Sequence, residues 1–356
     1  MSDQDAAGII TLSIPLPDSP LATVNVYALR NGPRLALVDC GWNTPEAHAA
    51  LRDGLAAAGH SIAAIDHIVV THLHPDHFGL AARLAEESGA DVLMHRLDAT
   101  YVGARYEDAR RLIDEMEAWL AVNGVPPADL EPMAEASVQL LKRVGTRRPD
   151  VLLEGGETLY WGDRRLEVLW VPGHSEGMIC LYDRERRILF SSDHVLPRIS
   201  PHVGLHVQSA ENPLGRYLDS LQLVRSLPVD LVLPGHGRPF HDLPRRIDEI
   251  VGHHEERCGQ ILELLAAGPR TGWELAARLT WKGSISGWDE LAPFQRRMAL
   301  TETLAHLDYL RCTGSVESGR DGDLIRYRRA ENAPAVPAGS ARSVSPVAPA
   351  ADPAGD

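Results

Sequence analysis

The stretch Thr71-His72-Leu73-His74-Pro75-Asp76-His77 places three imidazoles and one carboxylate within six positions. Imidazole nitrogen and carboxylate oxygen are the ligands that borderline divalent cations accept, and a catalytic ion needs protein ligands plus an open position for water. One histidine alone is ordinarily a surface or core residue, and Asp76 alone reads as a helix cap. Four such residues at this spacing point instead to a centre for one metal, or two. Two ions need more ligands, and the chain supplies them. "RRLEVLWVPGHSEG" ends an apolar run at His174, "RRILFSSDHV" ends another at Asp193, and "VDLVLPGHGRP" ends a third at His236.

The elements that must position these side chains are legible from periodicity. Ile65, Ile68, Val69 and Val70 form a β-branched run of the kind that makes a buried strand, closed by Thr71. Beyond Pro75 the apolar positions Phe78, Leu80, Ala81, Leu84 and Ala85 recur every three or four residues, which predicts a helix. The first cluster therefore sits on a strand-to-helix turn, where a rigid scaffold presents polar groups to a cleft without burying them unsatisfied. If the strands ahead of His174, Asp193 and His236 share a sheet, their ends bring all seven ligands to one edge.

The motif T-H-x-H-x-D-H, followed by isolated His, Asp and His, resembles the metallo-β-lactamase superfamily. That resemblance implies an α/β fold, the αβ/βα sandwich, with metals at one edge of two facing sheets. It implies that His72, His74 and His174 hold the first metal, that Asp76, His77 and His236 hold the second, and that Asp193 bridges them. It also gives Asp39, at the end of the apolar run in "LALVDCGWNTPEA", the role of orienting ligating imidazoles. On the residues alone Asp39 reads equally well as a turn residue before Gly41. The expected cofactors are two divalent ions, Zn2+ first, with iron or manganese accepted by the same ligand set. Two cations lower the pKa of the water between them until hydroxide exists near neutral pH, and can take the charge that develops on a carbonyl oxygen. No serine or cysteine nucleophile is then needed. Asp76 is expected to hold or move a proton, while His194 and His202 read as residues of a solvated loop.

The chain has 356 residues, 44% of them hydrophobic, and a formal charge of 35 − 49 = −14. It can bury a large core and divide into more than one unit. The acidic balance argues against a protein whose main task is to grip nucleic acid. No stretch is apolar for long enough to span a bilayer. Cys40, Cys180, Cys258 and Cys312 are widely spaced, and no N-terminal apolar segment follows basic residues, so free thiols in a cytoplasmic protein are expected.

The expected organisation is a disordered segment 1–8, a catalytic unit 9–243, a helical and winged-helix-like unit 244–330, and a disordered tail 331–356 rich in Ala, Pro and Ser. The catalytic unit carries a helical insertion at about 96–150, built from "YEDARRLIDEMEAWLAVNGVPP" and "EPMAEASVQLLKRVG". The insertion reads as a wall or lid over a hydrophobic substrate, or as the surface of a homodimer. In the C-terminal unit Arg296, Arg297 and Arg311 fall on or beside the presumed recognition helix, whereas Glu302 and Asp308 oppose them. His253 and His254, being adjacent on a helix, read as surface residues.

The resemblance extends to superfamily members with a C-terminal winged helix. It argues against lactam hydrolysis, because those enzymes lack the bridging aspartate. Lactonases of this family carry a tyrosine three positions beyond that aspartate, where this chain has Leu196. The favoured function is a binuclear metal-dependent hydrolase of a small ester or thioester, with glyoxalase II-like chemistry as the nearest analogy. The rivals are an endoribonuclease acting on single-stranded RNA and, after it, a lactonase or a metal-binding regulator without catalysis.

Overall fold

The structure, a computed structural model, describes residues 8–331 except 108, 208 and 282–286. The expected disordered ends lie outside the described residues, apart from Gly8 and Glu331. A six-stranded sheet runs in sequence order: β1 (Ile9–Pro15), β2 (Thr23–Asn31), β3 (Arg34–Val38), β4 (Ile65–Val70), β5 (Asp91–His95) and β6 (Val151–Leu153). Its first three strands pair antiparallel and the rest parallel, because helical crossovers separate β3 to β6. The second sheet has the order β11-β10-β9-β8-β7, from β7 (Thr158–Trp161), β8 (Arg164–Trp170), β9 (Ile179–Asp183), β10 (Ile188–Ser192) and β11 (Leu231–Pro234).

The helices are α1 (Pro45–Ala57), α2 (Pro75–Phe78), α3 (Ala81–Ser88), α4 (Arg96–Val102), α5 (Ala109–Val122), α6 (Pro127–Leu141), α7 (Pro213–Arg225), α8 (Leu243–Ala266), α9 (Gly272–Ala276) and α10 (Pro293–Cys312). Strand side chains alternate between faces, and the cores follow that alternation. Tyr27, Leu29, Val38 and Val69 of the first sheet meet Leu181, Phe190 and Leu233 of the second. The opposite face of the first sheet, with Leu37, Ile68 and Val70, packs on Leu51, Leu55 and Leu84 of α1 and α3. The opposite face of the second, with Tyr182, Leu189 and Val232, packs on Leu214, Leu221, Ile247 and Ile250 of α7 and α8. The layers are thus helix, sheet, sheet, helix, as the αβ/βα expectation requires.

Three local expectations change. The helix predicted after Pro75 is two helices, broken at Gly79, where a Cβ would lie 2.6 to 2.7 Å from the carbonyl oxygens of Pro75, Arg143 and Gly41. The hairpin β12 (Val316–Asp321) and β13 (Leu324–Arg329) turns at Gly322, whose φ is +60°, while Gly319 pairs with Arg326 inside the ladder. His254, expected at the surface, is buried and its Nδ1 lies 3.1 Å from His306 Nε2. His254 falls in the helical stripe of Ile247, Ile250, Cys258 and Ile261, the buried face of α8, so its ring is carried inward with them.

The insertion and the C-terminal helices close on one another. Leu120, Val125 and Met133 of the insertion share a core with Leu262, Leu275, Leu300 and Leu304. Among the described residues no helix is long and apolar enough to cross a membrane, and the four cysteines are free thiols.

Candidate metal centre

β4 ends at Val70 and the chain turns through Thr71–His74 into α2, so the first cluster projects from the edge shared by both sheets. His174 follows β8, Asp193 follows β10 and His236 follows β11, each within a few residues of its strand. The structure brings all seven predicted residues together. His72 Nε2, His74 Nδ1 and His174 Nε2 form a triangle with sides of 3.0, 3.2 and 2.9 Å. An ion bound to nitrogen at about 2.0–2.1 Å in a tetrahedral site sets its ligands about 3.3 Å apart, close to this spacing. No side-chain bond caps α2, so Asp76 is not spent as a cap.

The second group is Asp76, His77 and His236: His236 Nε2 lies 3.2 Å from Asp76 Oδ2, and His77 Nε2 lies 3.8 Å from the same oxygen. Asp193 reaches both groups. Its Oδ1 stands 3.6 Å from His77 Nε2 and 3.5 Å from His236 Nε2, and its Oδ2 stands 3.8 Å from His174 Nε2.

The outer nitrogens fix the imidazoles. His174 Nδ1 donates to the His202 carbonyl at 2.7 Å, His236 Nδ1 to the Thr23 carbonyl at 2.7 Å, and His77 Nδ1 to Asp39 Oδ2 at 2.8 Å. With those protons committed, each Nε2 lone pair faces the centre. His77 Nε2, His236 Nε2 and Asp193 Oδ1 are buried there without a hydrogen-bond partner. Buried polar atoms left so are rare and costly; a shared cation satisfies all three, so these residues fit the metals that the motif implies.

Asp39 sits as expected beside the ligands. It has φ +64°, a conformation disfavoured for a side chain, and accepts from Thr71 N at 2.9 Å, from Thr71 Oγ1 and from Ser192 Oγ at 3.2 Å. We expect Asp39→Asn to weaken metal binding by roughly 10- to 100-fold, measured by chelator competition, since the amide supports the wrong ring proton on His77.

Thr71, Ser192 and Asp98 belong to this architecture but were not among the predicted site residues. Asp98, buried on α4, accepts from Leu73 N at 2.8 Å, Ser175 Oγ at 2.9 Å and Gly177 N at 2.6 Å. It ties the loop of His72 and His74 to the loop of His174. Nothing in its sequence neighbourhood marks it, because its partners come from two distant segments. The solvated-loop reading of His194 and His202 is corrected: His194 is fully buried with its ring edge-on to Tyr217, and the His202 carbonyl is the acceptor that orients His174.

Electrostatics divides the centre in two. Burial and neighbouring imidazoles hold His72 and His74 well below the usual histidine range. Burial lowers His77 and His236 as well, but the surrounding carboxylates outweigh it: Asp39, Asp193 and Asp76 hold His77 well above its usual range, and Asp193 with Asp76 pushes His236 up to about 10. Burial would raise the Asp193 carboxyl, yet His236 and His77 bring it well below the usual range. In metal-free protein a proton on the imidazoles stands in for the missing cation.

The sign of the pH effect follows. A histidine raised above its unfolded value near 6.5 stabilises fully below that pH and loses its contribution as pH climbs to about 10. Metal binding runs the other way, because protons compete for the same nitrogens. The gap in melting temperature between metal-loaded and metal-stripped protein is therefore expected to widen from pH 6.5 to pH 9.5, as scanning calorimetry would measure.

A sandwich of this topology with two adjoining groups of metal ligands at its edge defines a metal-dependent hydrolase. The comparisons agree, and the chain belongs to the Metallo-beta-lactamase superfamily, whose family model matches residues 20–236. It is 26% identical over 329 residues to the probable metallo-hydrolase YqjP of Bacillus subtilis (strain 168), covering 90% of this chain and 97% of that protein. It is 30% identical over 222 residues to the acyl-coenzyme A thioesterase MBLAC2 of Bos taurus, covering 60% of this chain and 70% of that one. The crystal structure of the metallo-beta-lactamase family protein TTHA1429 from Thermus thermophilus superposes with a TM-score of 0.78 at 33% identity, over 91% of this chain and 99% of that one.

Proposed function

We propose that the protein is a binuclear hydrolase of small thioesters or esters, with Zn2+ as its preferred ion. The observation that carries the two-metal reading is Asp193, whose oxygens face His174 on one side and His77 with His236 on the other. His72, His74 and His174 would hold one ion, and Asp76, His77 and His236 the other. When bound, the pair supplies an activated water near neutral pH and positive charge for the developing oxyanion. The chain does the rest. Asp39 and the carbonyls of His202 and Thr23 set the ring tautomers, and the half-buried Asp76, at the open face, holds or moves a proton.

The thioester preference is supported by the relatives named acyl-coenzyme A thioesterase. Arg296 pairs with Asp129 at 3.0 Å, and Arg311 pairs with Glu211 and Asp308 at 2.6 and 2.9 Å. Those ion pairs, with the net charge of −14, favour a small substrate over RNA. We read residues 9–243 as the catalytic unit and 244–330, winged-helix-like in its order of helices and hairpin, as the support for α10. The test is hydrolysis by metal-loaded protein of a panel of thioesters, lactones and short RNAs; turnover of RNA alone would overturn the proposal.

A further inference from the structure

Leu73 stands between two of the candidate ligands, His72 and His74, in the turn that follows β4. It is buried, and its backbone lies outside any strand ladder or helix. An N–H and a C=O so placed need partners from elsewhere in the chain. Both partners come from one short segment. Leu73 N donates to Asp98 Oδ2 at 2.8 Å, and the Leu73 carbonyl accepts from the Tyr106 hydroxyl at 2.6 Å. Asp98 thereby holds the peptide group between His72 and Leu73, and Tyr106 holds the one between Leu73 and His74.

The segment that supplies them opens the helical insertion. Asp98 is on α4, and Tyr106 is in the π-helical turn Gly103–Glu107 that continues it. Eight residues of unbroken α-helix would carry Tyr106 about 80° past the face that bears Asp98. A π turn winds more slowly and keeps both side chains toward the ligand loop; such turns recur at functional sites. The half-buried Tyr106 ring is seated as well, with its centre 6.0 Å from that of Phe78 at the end of α2.

His74 is the ligand that most needs this support. The outer nitrogens of His77, His174 and His236 are each held by a carbonyl or carboxylate, and His72 Nδ1 lies 3.1 Å from Thr71 Oγ1. His74 faces the centre through Nδ1, and among the described residues no hydrogen bond reaches its Nε2. Its aim then depends on the backbone on which it stands.

We propose that Tyr106 is a positioning residue for the metal centre, clamping with Asp98 the two peptide groups that join His72 to His74. The inference rests on the binuclear reading above and deepens it, since the start of the insertion becomes part of the framework that spaces the ligands.

Tyr106→Phe keeps the ring and removes only the hydroxyl. Tyr182→Phe is its control, because the Tyr182 hydroxyl also donates to a backbone carbonyl, that of Pro228 at 2.7 Å, ahead of β11 and so at the end opposite the centre. In chelator competition Tyr106→Phe is expected to weaken the binding of at least one Zn2+ roughly tenfold, with Tyr182→Phe within about twofold of wild type. Melting temperatures separate positioning from simple support. A hydrogen bond that only holds the fold lowers metal-loaded and metal-stripped protein alike, whereas one that aligns ligands matters more with the metals bound. The gap between loaded and stripped protein should therefore narrow in Tyr106→Phe and keep its wild-type width in Tyr182→Phe. Unchanged Zn2+ affinity or an unchanged gap in Tyr106→Phe overturns the proposal, as does an equal loss in both variants. With metals saturating, thioester turnover should fall through kcat more than through KM, because Tyr106 acts through His74; a loss confined to KM marks a substrate contact and overturns it too. If wild type binds two Zn2+ and cleaves no ester or thioester, the hydrolase reading fails while affinity and melting still decide the clamp. If wild type binds no Zn2+, the centre and the clamp fall together.

Discussion

Asp193→Ala is expected to lower hydrolysis by at least about a thousandfold, since metal-centred charge stabilisation is worth several kcal/mol and each 1.4 kcal/mol is tenfold in rate. The loss follows from position. Asp193 is the only one of the seven residues whose two oxygens face both ligand groups, at 3.8 Å from His174 and 3.5 to 3.6 Å from His236 and His77. Alanine removes the carboxylate that the proposed function places between the two ions, and also the anion that keeps the two imidazoles compatible with burial. Elemental analysis should show fewer metals per chain, in step with the loss of rate. Asp193→Asn keeps the shape and one oxygen, so it should retain more metal than alanine does. The fold should survive in both, because Asp193 lies beyond the last residue of β10 and outside the core between the sheets. Unchanged turnover in the alanine variant would sink the assignment of the centre.

The seven candidate ligands were legible because imidazole and carboxylate advertise their chemistry by type, and because each sits just past an apolar run that has to be a strand. The αβ/βα layering followed from the resemblance, and the alternation of Tyr27, Leu29, Val38 and Val69 bears it out. What escaped were groups whose meaning depends on distant partners. Asp98 gains its role only when the turn after β4 meets the loop after β8. His254 looks like any surface histidine until α10 places His306 beside it. The apolar faces of α5 and α6 were visible as stripes, but a stripe does not say what covers it; the answer is the C-terminal helices.

That packing ties the C-terminal helices to the metal centre. His202 sits between its own chain and α10, with its Nε2 3.3 Å from Thr301 Oγ1 and its Nδ1 3.5 Å from Glu302, while Leu205 N donates to the Thr301 carbonyl at 2.9 Å. The His202 carbonyl in turn fixes His174. A ligand of the catalytic sheets is therefore held in its tautomer by a loop that a C-terminal helix anchors.

Removing the metals with a strong chelator is expected to abolish turnover, to below about a thousandth of the loaded rate, and to leave the fold in place. The two halves of that expectation have separate causes. Activity is expected to depend on the cations because, among the described residues, the serines and cysteine beside the centre are committed elsewhere: Cys40 is fully buried, with its sulfur donating to the His77 carbonyl at 2.9 Å, Ser192 is tied to Asp39 and Thr71, and Ser175 donates to Asp98 at 2.9 Å. Folding does not depend on them in the way that it does for a zinc finger, because the cores on both faces of both sheets close without any of the seven ligands. Protonated His77 and His236 also relieve the repulsion between Asp76 and Asp193 in the stripped state. The melting temperature should still drop, by an amount set by metal affinity, about 4 kcal/mol of stability at a thousandfold excess over Kd. Circular dichroism before and after chelation, with activity restored by Zn2+, Mn2+ or Fe2+ in turn, measures both halves and ranks the ions. Full activity in protein shown by elemental analysis to hold no metal would leave the hydrolytic assignment without a mechanism.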